Sequence, residues 1–598
     1  MQRFTLQWQK KQEVNELKII LVYPYCLDDR LYAEDVRVVP IGLYYIGAIL
    51  KENHYNVEVF NWHDINKTPN KIEETLREKK PDVIGFSILH ANRWGGIDIA
   101  KIAKRILPEV KIVFGGIGTT FLWEHLLEHF KEIDFAVLGE GEYSFLKLIQ
   151  CIEKKNYEGI NDIQGIAFKK GEKVVKTGDP DVIQDLDRLP MPSKYFDVQH
   201  LVSSRGCPAN CAFCGSPRFW GHKVRFHSPE YFVEQLERLY RKGIGFFYVS
   251  DDTFTMRSDR VIEICKKIIE KELKITWVAI SRVNYVNEEM LYLMRKAGCI
   301  QISYGVESGS EKIRGVLNKN IKTDDIKRAF ALTTKYGILA RAYFIYGSPG
   351  ENWETIQETI DLINEIKPLS IIFYILDIFP GTALYADFQQ KTKLSDDVWL
   401  KRVEDIMYFE SDPRLSKDMI LAFGQKLRSD YYRCFPEFAD AIQLVDEKDL
   451  YESHADFLSR LAMTLSHGDY ASIEAIPEKE QVAQRLYERS LLYHPNQRAY
   501  LGLGIIRQKR REYEDSVRIL SEGLNQFPDN QPLAMCLGIS YMNLGQYDNA
   551  LTCFLKFPDS RETLQYTAAC YRALGDSEQE STVLRRLERL TDSNSLTL

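Results

Sequence analysis

The sequence predicts an α/β protein in three parts: a doubly wound parallel sheet at the N-terminus, a partial (β/α)6 barrel, and an all-α repeat domain at the C-terminus. Three observations predict it. Short apolar runs alternate with helically spaced stretches from residue 18 to about 150. The same alternation resumes over 199–390. Beyond residue 481 the chain repeats itself at an interval of 34. The predicted divisions are 1–150 for the sheet, 151–198 for a hairpin and linker, 199–390 for the barrel, 391–480 for a helical extension and 481–598 for the repeats.

In the first part the strand candidates are Lys18–Tyr23, Asn56–Phe60, Asp82–Ile88, Lys111–Gly115 and Ile133–Leu138. The stretches between them have helical spacing, as with Gly42, Tyr45, Ile46 and Ile49. Ligands of such a sheet bind at the carboxyl ends of its strands. The segment IQGIAFKKGEKVVKTG then reads as a β-hairpin turning at Lys170–Gly171. Pro190 and Pro192 break any helix in DLDRLPMPSKYFD, which reads as a linker lying over the next domain.

The barrel strands are predicted at His200–Ser204, Phe246–Ser250, Thr276–Ile280, Gln301–Tyr304, Arg341–Tyr346 and Ile371–Ile378. Ser228 can cap a helix with Pro229 in its first turn and Phe232, Leu236 and Leu239 as its apolar stripe. Six such units place an active site at the C-terminal strand ends. In the last part Leu503-Gly504 recurs as Leu537-Gly538 and Tyr513 as Tyr547, and Pro495, Pro528 and Pro558 mark unit ends. Tyr571 and Leu574-Gly575 echo Tyr541 and Leu544-Gly545 at a shorter interval of 30. The pattern resembles the tetratricopeptide repeat, a helix–turn–helix unit.

Composition narrows the function classes. Apolar residues make up 45 % and charged residues 27 %, with a formal net charge of −7. That argues against a dominant nucleic-acid surface. No apolar run is long enough for a membrane span and the N-terminus lacks a signal-peptide core, so a cytoplasmic location is expected. Of the 11 cysteines, eight are scattered singly and three fall within eight residues. A disulfide scaffold would be more evenly spread; clustered thiols point to a metal site.

That cluster lies in RGCPANCAFCGSP, Arg205 to Pro217, where Cys207, Cys211 and Cys214 follow a C-x3-C-x2-C pattern. Three thiolates on one loop can hold three irons of a [4Fe–4S] cubane and leave the fourth open to a small molecule. The alternative is a zinc knuckle, which needs a second pair of ligands; His222 and His227 are isolated.

The spacing and position resemble the radical S-adenosylmethionine (SAM) superfamily, over the whole of 199–390. Phe213 matches the family's aromatic position before the last cysteine. The resemblance implies SAM contacts at the strand ends: Asp251 and Asp252 in YVSDDTF, Arg282 after the third strand, Glu307 and Ser308 in YGVESGSE, Tyr346 in FIYGSPGE, with FPGTALY after the sixth strand. Asp251, Asp252 and Glu307 have a plainer reading as helix caps.

The preceding sheet resembles the cobalamin-binding domain of B12-type radical SAM proteins, and DLDRLPMPS is typical of that subfamily. In FGGIGTTF, Gly115, Gly116 and Thr119, and in LGEGEYSF, Gly139, Glu140, Gly141 and Glu142, are the implied cobalamin contacts. Gly-Gly at a strand end is otherwise a simple turn. The D-x-H-x-x-G sequence that supplies an axial histidine is absent: Asp28 and Asp29 follow the first strand with no histidine at that spacing. His54, His63 and His90 are read as packed or surface residues, with His90 the one candidate cobalt ligand; a degenerate domain without cobalamin is the alternative.

The resemblance implies reductive cleavage of SAM to a 5′-deoxyadenosyl radical, with methyl transfer to an unactivated carbon. Oxidative cyclisation with the same cofactors and a repeat-domain scaffold with an inactive front half are the alternatives. A methylthiotransferase is disfavoured because only Cys26 and Cys151 precede the triad. The expected partners are a small-molecule or carrier-bound substrate, an electron donor such as flavodoxin or ferredoxin, and a protein at the repeats.

Overall fold

The computed structural model describes residues 15–27, 39–68 and 70–594; Asp28 and Asp29 lie outside them. Two compact units result. One comprises the chain up to Phe330 together with Ala340–Arg428; the other comprises Ala331–Leu339 and the chain from Ser429 onward.

The first unit contains two large sheets. The N-terminal sheet has seven strands: β1 Asn15–Tyr23, β2 Tyr55–Asn61, β3 Val83–Ser87, β4 Lys111–Gly115, β5 Phe135–Val137, β6 Ile166–Lys170 and β7 Lys173–Lys176, in the order β2-β1-β3-β4-β5-β6-β7. β1 to β5 pair in parallel. Alternate residues serve opposite faces. Ile19, Leu21, Val83 and Val113 pack with Leu43 and Leu50 of helix Ile41–Glu52 and with Phe145 and Leu148 of helix Gly141–Glu153. On the other face, Gly96 of helix Arg93–Ile106 sits so close to Ile88 and Phe114 that an added Cβ would lie 2.6 and 3.2 Å from them. The sheet is therefore covered on both sides, as its continuous apolar runs require.

The hairpin β6–β7 departs from the sequence reading. It pairs antiparallel with β5 and completes the N-terminal sheet, instead of standing with the linker. Ile166 and Ala167 are fully buried there, which fixes it to the sheet. The linker proper follows. Leu186 and Leu189 pack on Tyr45 of the sheet domain, while Asp187 accepts hydrogen bonds from the amide of Ser228 at 3.0 Å and from His227 at 3.1 Å. It lies over the following domain as expected.

The second sheet has six strands: β8 His200–Leu201, β11 Phe246–Val249, β12 Thr276–Ser281, β13 Cys299–Glu307, β14 Leu339–Tyr346 and β15 Ser370–Ile375, in the order β15-β14-β13-β12-β11-β8. β8 and β15 stand at opposite ends of that order, so the barrel is partial. The helix after Ser228 runs from Pro229 to Tyr240, capped by the Ser228 side chain, with Phe232, Leu236 and Leu239 buried. The first barrel strand is shorter than the sequence suggested. It ends at Leu201, and the chain re-forms a separate ribbon in which β9 Ser204–Arg205 pairs antiparallel with β10 Arg225–Phe226.

The second unit is helical. Helices Gln497–Lys509 and Gln531–Asn543 begin 34 residues apart, as do Tyr513–Gln526 and Tyr547–Phe554. The next pair, Arg561–Leu574 and Ser577–Asn594, follows after only 30 because the helix before it, with 8 residues, is short. Gly504 and Gly538 occupy equivalent places. A Cβ on Gly504 would stand 2.5 Å from Leu520, and one on Gly538 would stand 2.4 Å from Phe554. These glycines set how closely paired helices approach. Gly504→Val should therefore destabilise this unit by about 1–3 kcal/mol through overpacking, read as a lower midpoint in denaturant with the sheet-containing unit unaffected.

Candidate functional site

Asp251, at the end of β11, explains the broken strand. Its carboxylate accepts from the amide of Ser203 at 2.5 Å, the amide of Ser204 at 3.2 Å and both hydroxyls at 2.6 Å. Both carboxylate oxygens are thus engaged with the backbone and side chains that lead into the cysteine loop. Asp251 positions the loop and offers no free oxygen to a ligand. Asp252 is different. It accepts from the Ser216 hydroxyl at 2.6 Å beside Cys214. Desolvation by the surrounding protein, with the Asp251 charge adding to it, raises its carboxyl above the usual range.

Cys207 and Cys211 are buried and Cys214 is half-buried; all are free thiols. Their sulfurs do not converge within 4.8 Å of one another, as ligands of a single ion would. Thr253 approaches the Cys207 sulfur at 3.7 Å, and the Arg282 guanidinium donates to the Cys211 sulfur at 3.6 Å and to the carbonyl of Lys319 at 2.6 Å. Burial, with Asp252 and the other two thiols adding to it, pushes the Cys214 thiol up to about 12. Three adjacent thiolates therefore require positive charge, which a cluster's irons supply. The donor set fits a cubane with hydrogen bonds to its sulfur ligands. Phe213 is half-buried within the loop.

Glu307, at the end of β13, adopts a left-handed backbone with φ of 68°. For a non-glycine residue this is an uncommon conformation that clusters at functional sites. Its carboxylate pairs with Lys319 at 2.7 Å, both side chains 7 % exposed. Ser308 faces away from that pair, accepting from the amide of Ser310 at 3.1 Å and lying 3.3 Å from the Thr359 hydroxyl. Tyr346 is buried, with Arg428 stacked 5.8 Å from its ring. In the loop after it, Glu351 accepts from the amides of Gly347 and Ser348. Burial, opposed by those amides, pushes its carboxyl up to about 7.

The N-terminal sheet carries a largely apolar cavity. Its walls are Leu21, Gly85 and Val113 of the sheet, Leu43 and Ile46 of one helix, and Gly141, Glu142 and Phe145 of another. Gly115, Gly116, Gly139 and Glu140 stand at its mouth. Gly116 has φ of 90°, and a Cβ there would meet the Ile88 carbonyl at 2.9 Å, so only glycine fits. Thr119 is buried outside the lining and donates to the Gly115 carbonyl; Thr120, at 3.0 Å, holds the Gly139 amide. An apolar lining with a few polar groups suits an organic ligand.

Two side chains of the cysteine loop, Phe219 and Trp220, also line this cavity. They belong to the short helix Ser216–Trp220, which starts two residues after Cys214. Glu140 and Glu142 are tied to the same loop. Arg205 donates to Glu140 at 3.1 Å and to Glu142 at 2.5 Å, and Arg225 pairs with Glu140; all four side chains are 3–5 % exposed. Tyr45 and Trp220 flank the Arg205 guanidinium at 5.1 and 5.2 Å. The two glutamates therefore line the cavity while their carboxylates neutralise buried arginines.

His90 does not reach the cavity lining. Its Nε2 lies 2.8 Å from Asp377, and its ring stacks on Phe379 at 4.5 Å. His54 is an exposed turn residue, His63 is half-buried, and neither lines the cavity. Sequence reasoning missed Arg205, Arg225, Lys319, Phe219 and Trp220. Only Arg205, inside RGC, carried a signal.

A methyltransferase of Pyrococcus horikoshii, described as uncharacterized, is 32 % identical over 383 residues, covering 62 % of this chain and 82 % of that one. Residues 201–363 match the radical SAM superfamily and residues 35–149 the B12 binding domain. The chain belongs to the B12-binding radical SAM enzymes. Among other relatives of this enzyme, an anaerobic magnesium-protoporphyrin IX monomethyl ester cyclase of Cereibacter sphaeroides is 28 % identical, over 59 % of this chain and 60 % of that one. The fold is shared with the radical SAM methyltransferase TsrM from Kitasatospora setae, solved with cobalamin and a [4Fe–4S] cluster (TM-score 0.57, 16 % identity, 79 % of this chain and 99 % of that one). It is also shared with OxsB, solved with aqua-cobalamin and SAM (TM-score 0.55, 17 % identity, 89 % and 84 %).

Two outcomes follow for this enzyme. Arg205→Met leaves Glu142 buried without its partner and Glu140 with Arg225 alone, and should cost about 3–5 kcal/mol in equilibrium unfolding. Adding Glu142→Gln, which neutralises the stranded carboxylate and leaves the Arg225–Glu140 pair intact, should restore part of it. Glu351, raised to about 7 in the fold from 4.5, stabilises in its protonated form. That contribution is complete below about pH 4.5 and disappears as pH rises through about 7. Unfolding measured against pH should show wild type losing up to ~3 kcal/mol across this window relative to Glu351→Gln, which does not titrate.

Proposed function

We propose that the chain is a cobalamin-dependent radical SAM methyltransferase acting on an unactivated carbon. The observation that carries this reading is the continuity from Arg205 to Trp220: one segment presents the three thiols, pairs with Glu140 and Glu142, and closes the cavity with Phe219 and Trp220. A cofactor in the cavity and one on the thiols would face a common space.

When bound, the cluster with SAM would supply a 5′-deoxyadenosyl radical and cobalamin a transferable methyl group. Cys207, Cys211 and Cys214 would hold the cluster. Arg282 and Thr253 disperse negative charge on two of the sulfurs. Asp252, Glu307 with Lys319, and the β14 end at Tyr346 provide the polar and aromatic surroundings assigned to SAM, while Asp251 and Ser308 act through the backbone they hold. Phe219 and Trp220 exclude water between the two sites. Gly115, Gly116, Gly139 and Gly141 leave room for the nucleotide tail of cobalamin. Among the described residues no histidine lines the cavity.

Electrons would come from a flavodoxin or ferredoxin. The C-terminal helix pairs are read as tetratricopeptide-like units where a protein or a carrier-bound substrate docks. Among the described residues no helix is long and apolar enough to cross a membrane. The 11 free thiols suit a reducing cytoplasm.

The test is anaerobic reconstitution with SAM, a reductant and cobalamin. Wild type should release both S-adenosylhomocysteine and 5′-deoxyadenosine. Cys207→Ala, Cys211→Ala and Cys214→Ala combined should abolish both. 5′-Deoxyadenosine alone, with corrinoid bound, would instead favour cyclisation.

A further inference from the structure

We infer that His125, His129 and Asp397 form a binding site for a divalent cation of zinc type, separate from the cysteine loop and the cavity. His125 and His129 lie four residues apart on helix Ile117–His129, and Asp397 sits in the turn Asp396–Leu400. One ligand atom from each lies within 4.8 Å of the others.

The distances decide between an ion site and hydrogen bonding. His125 Nδ1 and His129 Nε2 stand 3.6 and 3.7 Å from Asp397 Oδ1. Both are too long for hydrogen bonds. They approach the ligand-to-ligand edge of a tetrahedral zinc centre, about 3.4 Å for bonds of about 2.0–2.1 Å.

The tautomer of His129 is fixed by its neighbour. Its Nδ1 lies 3.0 Å from the His125 carbonyl, an acceptor only, so Nδ1 carries the proton. Nε2 therefore turns a lone pair toward a carboxylate oxygen. A proton on Nε2 would draw the two atoms to hydrogen-bond length, and they stand 3.7 Å apart, a separation that a metal cation between them accounts for. The backbone carbonyl is the kind of outer partner that orients metal-bound histidines. His125 supplies a second sign. Its side chain is 5 % exposed and its Nδ1 stands 3.6 Å from Asp397 Oδ1, too far for a hydrogen bond. An ion would satisfy the nitrogen aimed at Asp397.

The ion would have a structural task. The end of the 396–400 turn is already fastened: Trp399 is 1 % exposed, Arg93 stacks on it at 4.6 Å, and Arg93 donates to the carbonyls of Trp399, Lys401, Val403 and Glu404. A cation at Asp397 would fasten its beginning to the helix that starts at the cavity mouth. Asp397 is 65 % exposed and His129 36 %, so the fourth position opens to water.

The test uses the full chain carrying Cys207→Ala, Cys211→Ala and Cys214→Ala, which removes competing thiolates, titrated with cobalt(II) and then zinc. One cobalt per chain should bind with micromolar or tighter Kd, show the visible bands of tetrahedral cobalt and be displaced by zinc, and zinc should raise Tm. His129→Gln and Asp397→Asn, both at accessible side chains, should weaken binding at least tenfold and abolish the Tm rise while leaving the metal-free Tm unchanged. Unaltered binding in both variants, or no stoichiometric binding in the parent, would overturn the site.

Discussion

Arg205, Arg225, Glu140 and Glu142 form a neutral group of four charges from which water is excluded. Each charge is tolerable in the interior only because its partner is there, and removing one strands the others. Glu140 comes from the loop after β5, Glu142 from the first turn of the helix that follows it, and the two arginines from the ribbon β9–β10. The cavity of the first sheet and the thiol loop of the second are thereby held in one arrangement. Asp251 performs the complementary task from below, gathering Ser203 and Ser204 so that the chain leaves β8 in the direction of Arg205.

The chemistry at the thiols depends on this rigidity. Arg282 and Lys319 lie at the ends of different elements, yet Arg282 bonds both a cysteine sulfur and the Lys319 carbonyl, and Lys319 reaches Glu307. Glu307 holds its unfavourable backbone angle within that chain of contacts. Such a chain orders polar groups before any ligand arrives, which is how a protein contributes to reactions whose reactive atoms belong to cofactors.

Much of this was legible from residue order. The strands of both sheets were visible as short apolar runs, the central ones of the first sheet because they are buried on both faces, and the Ser228 cap and the 34-residue interval were local signals. The thiol triad was also local. What escaped was long-range. The hairpin β6–β7 reads the same whether it stands alone or extends a sheet; only burial of Ile166 and Ala167 decides. Glu140 and Glu142 line the cavity, but nothing in LGEGE reveals that two arginines some sixty or more positions later pair with their carboxylates. The first barrel strand was drawn too long for the same reason, since the carboxylate that interrupts it belongs to β11. His90 is packed, as read, but its partner, Asp377, lies far along the chain and could not be named.

The C-terminal helices pack mainly against their immediate successors through apolar contacts around Leu520, Leu537, Phe554 and Leu564. An array built this way is held together link by link, without long-range closure. Its last members can fray and re-form while earlier ones stay ordered, and evolution can add or delete a pair without redesigning the remainder. The length of this tail is thus an adjustable property, free to change independently of the chemistry that precedes it.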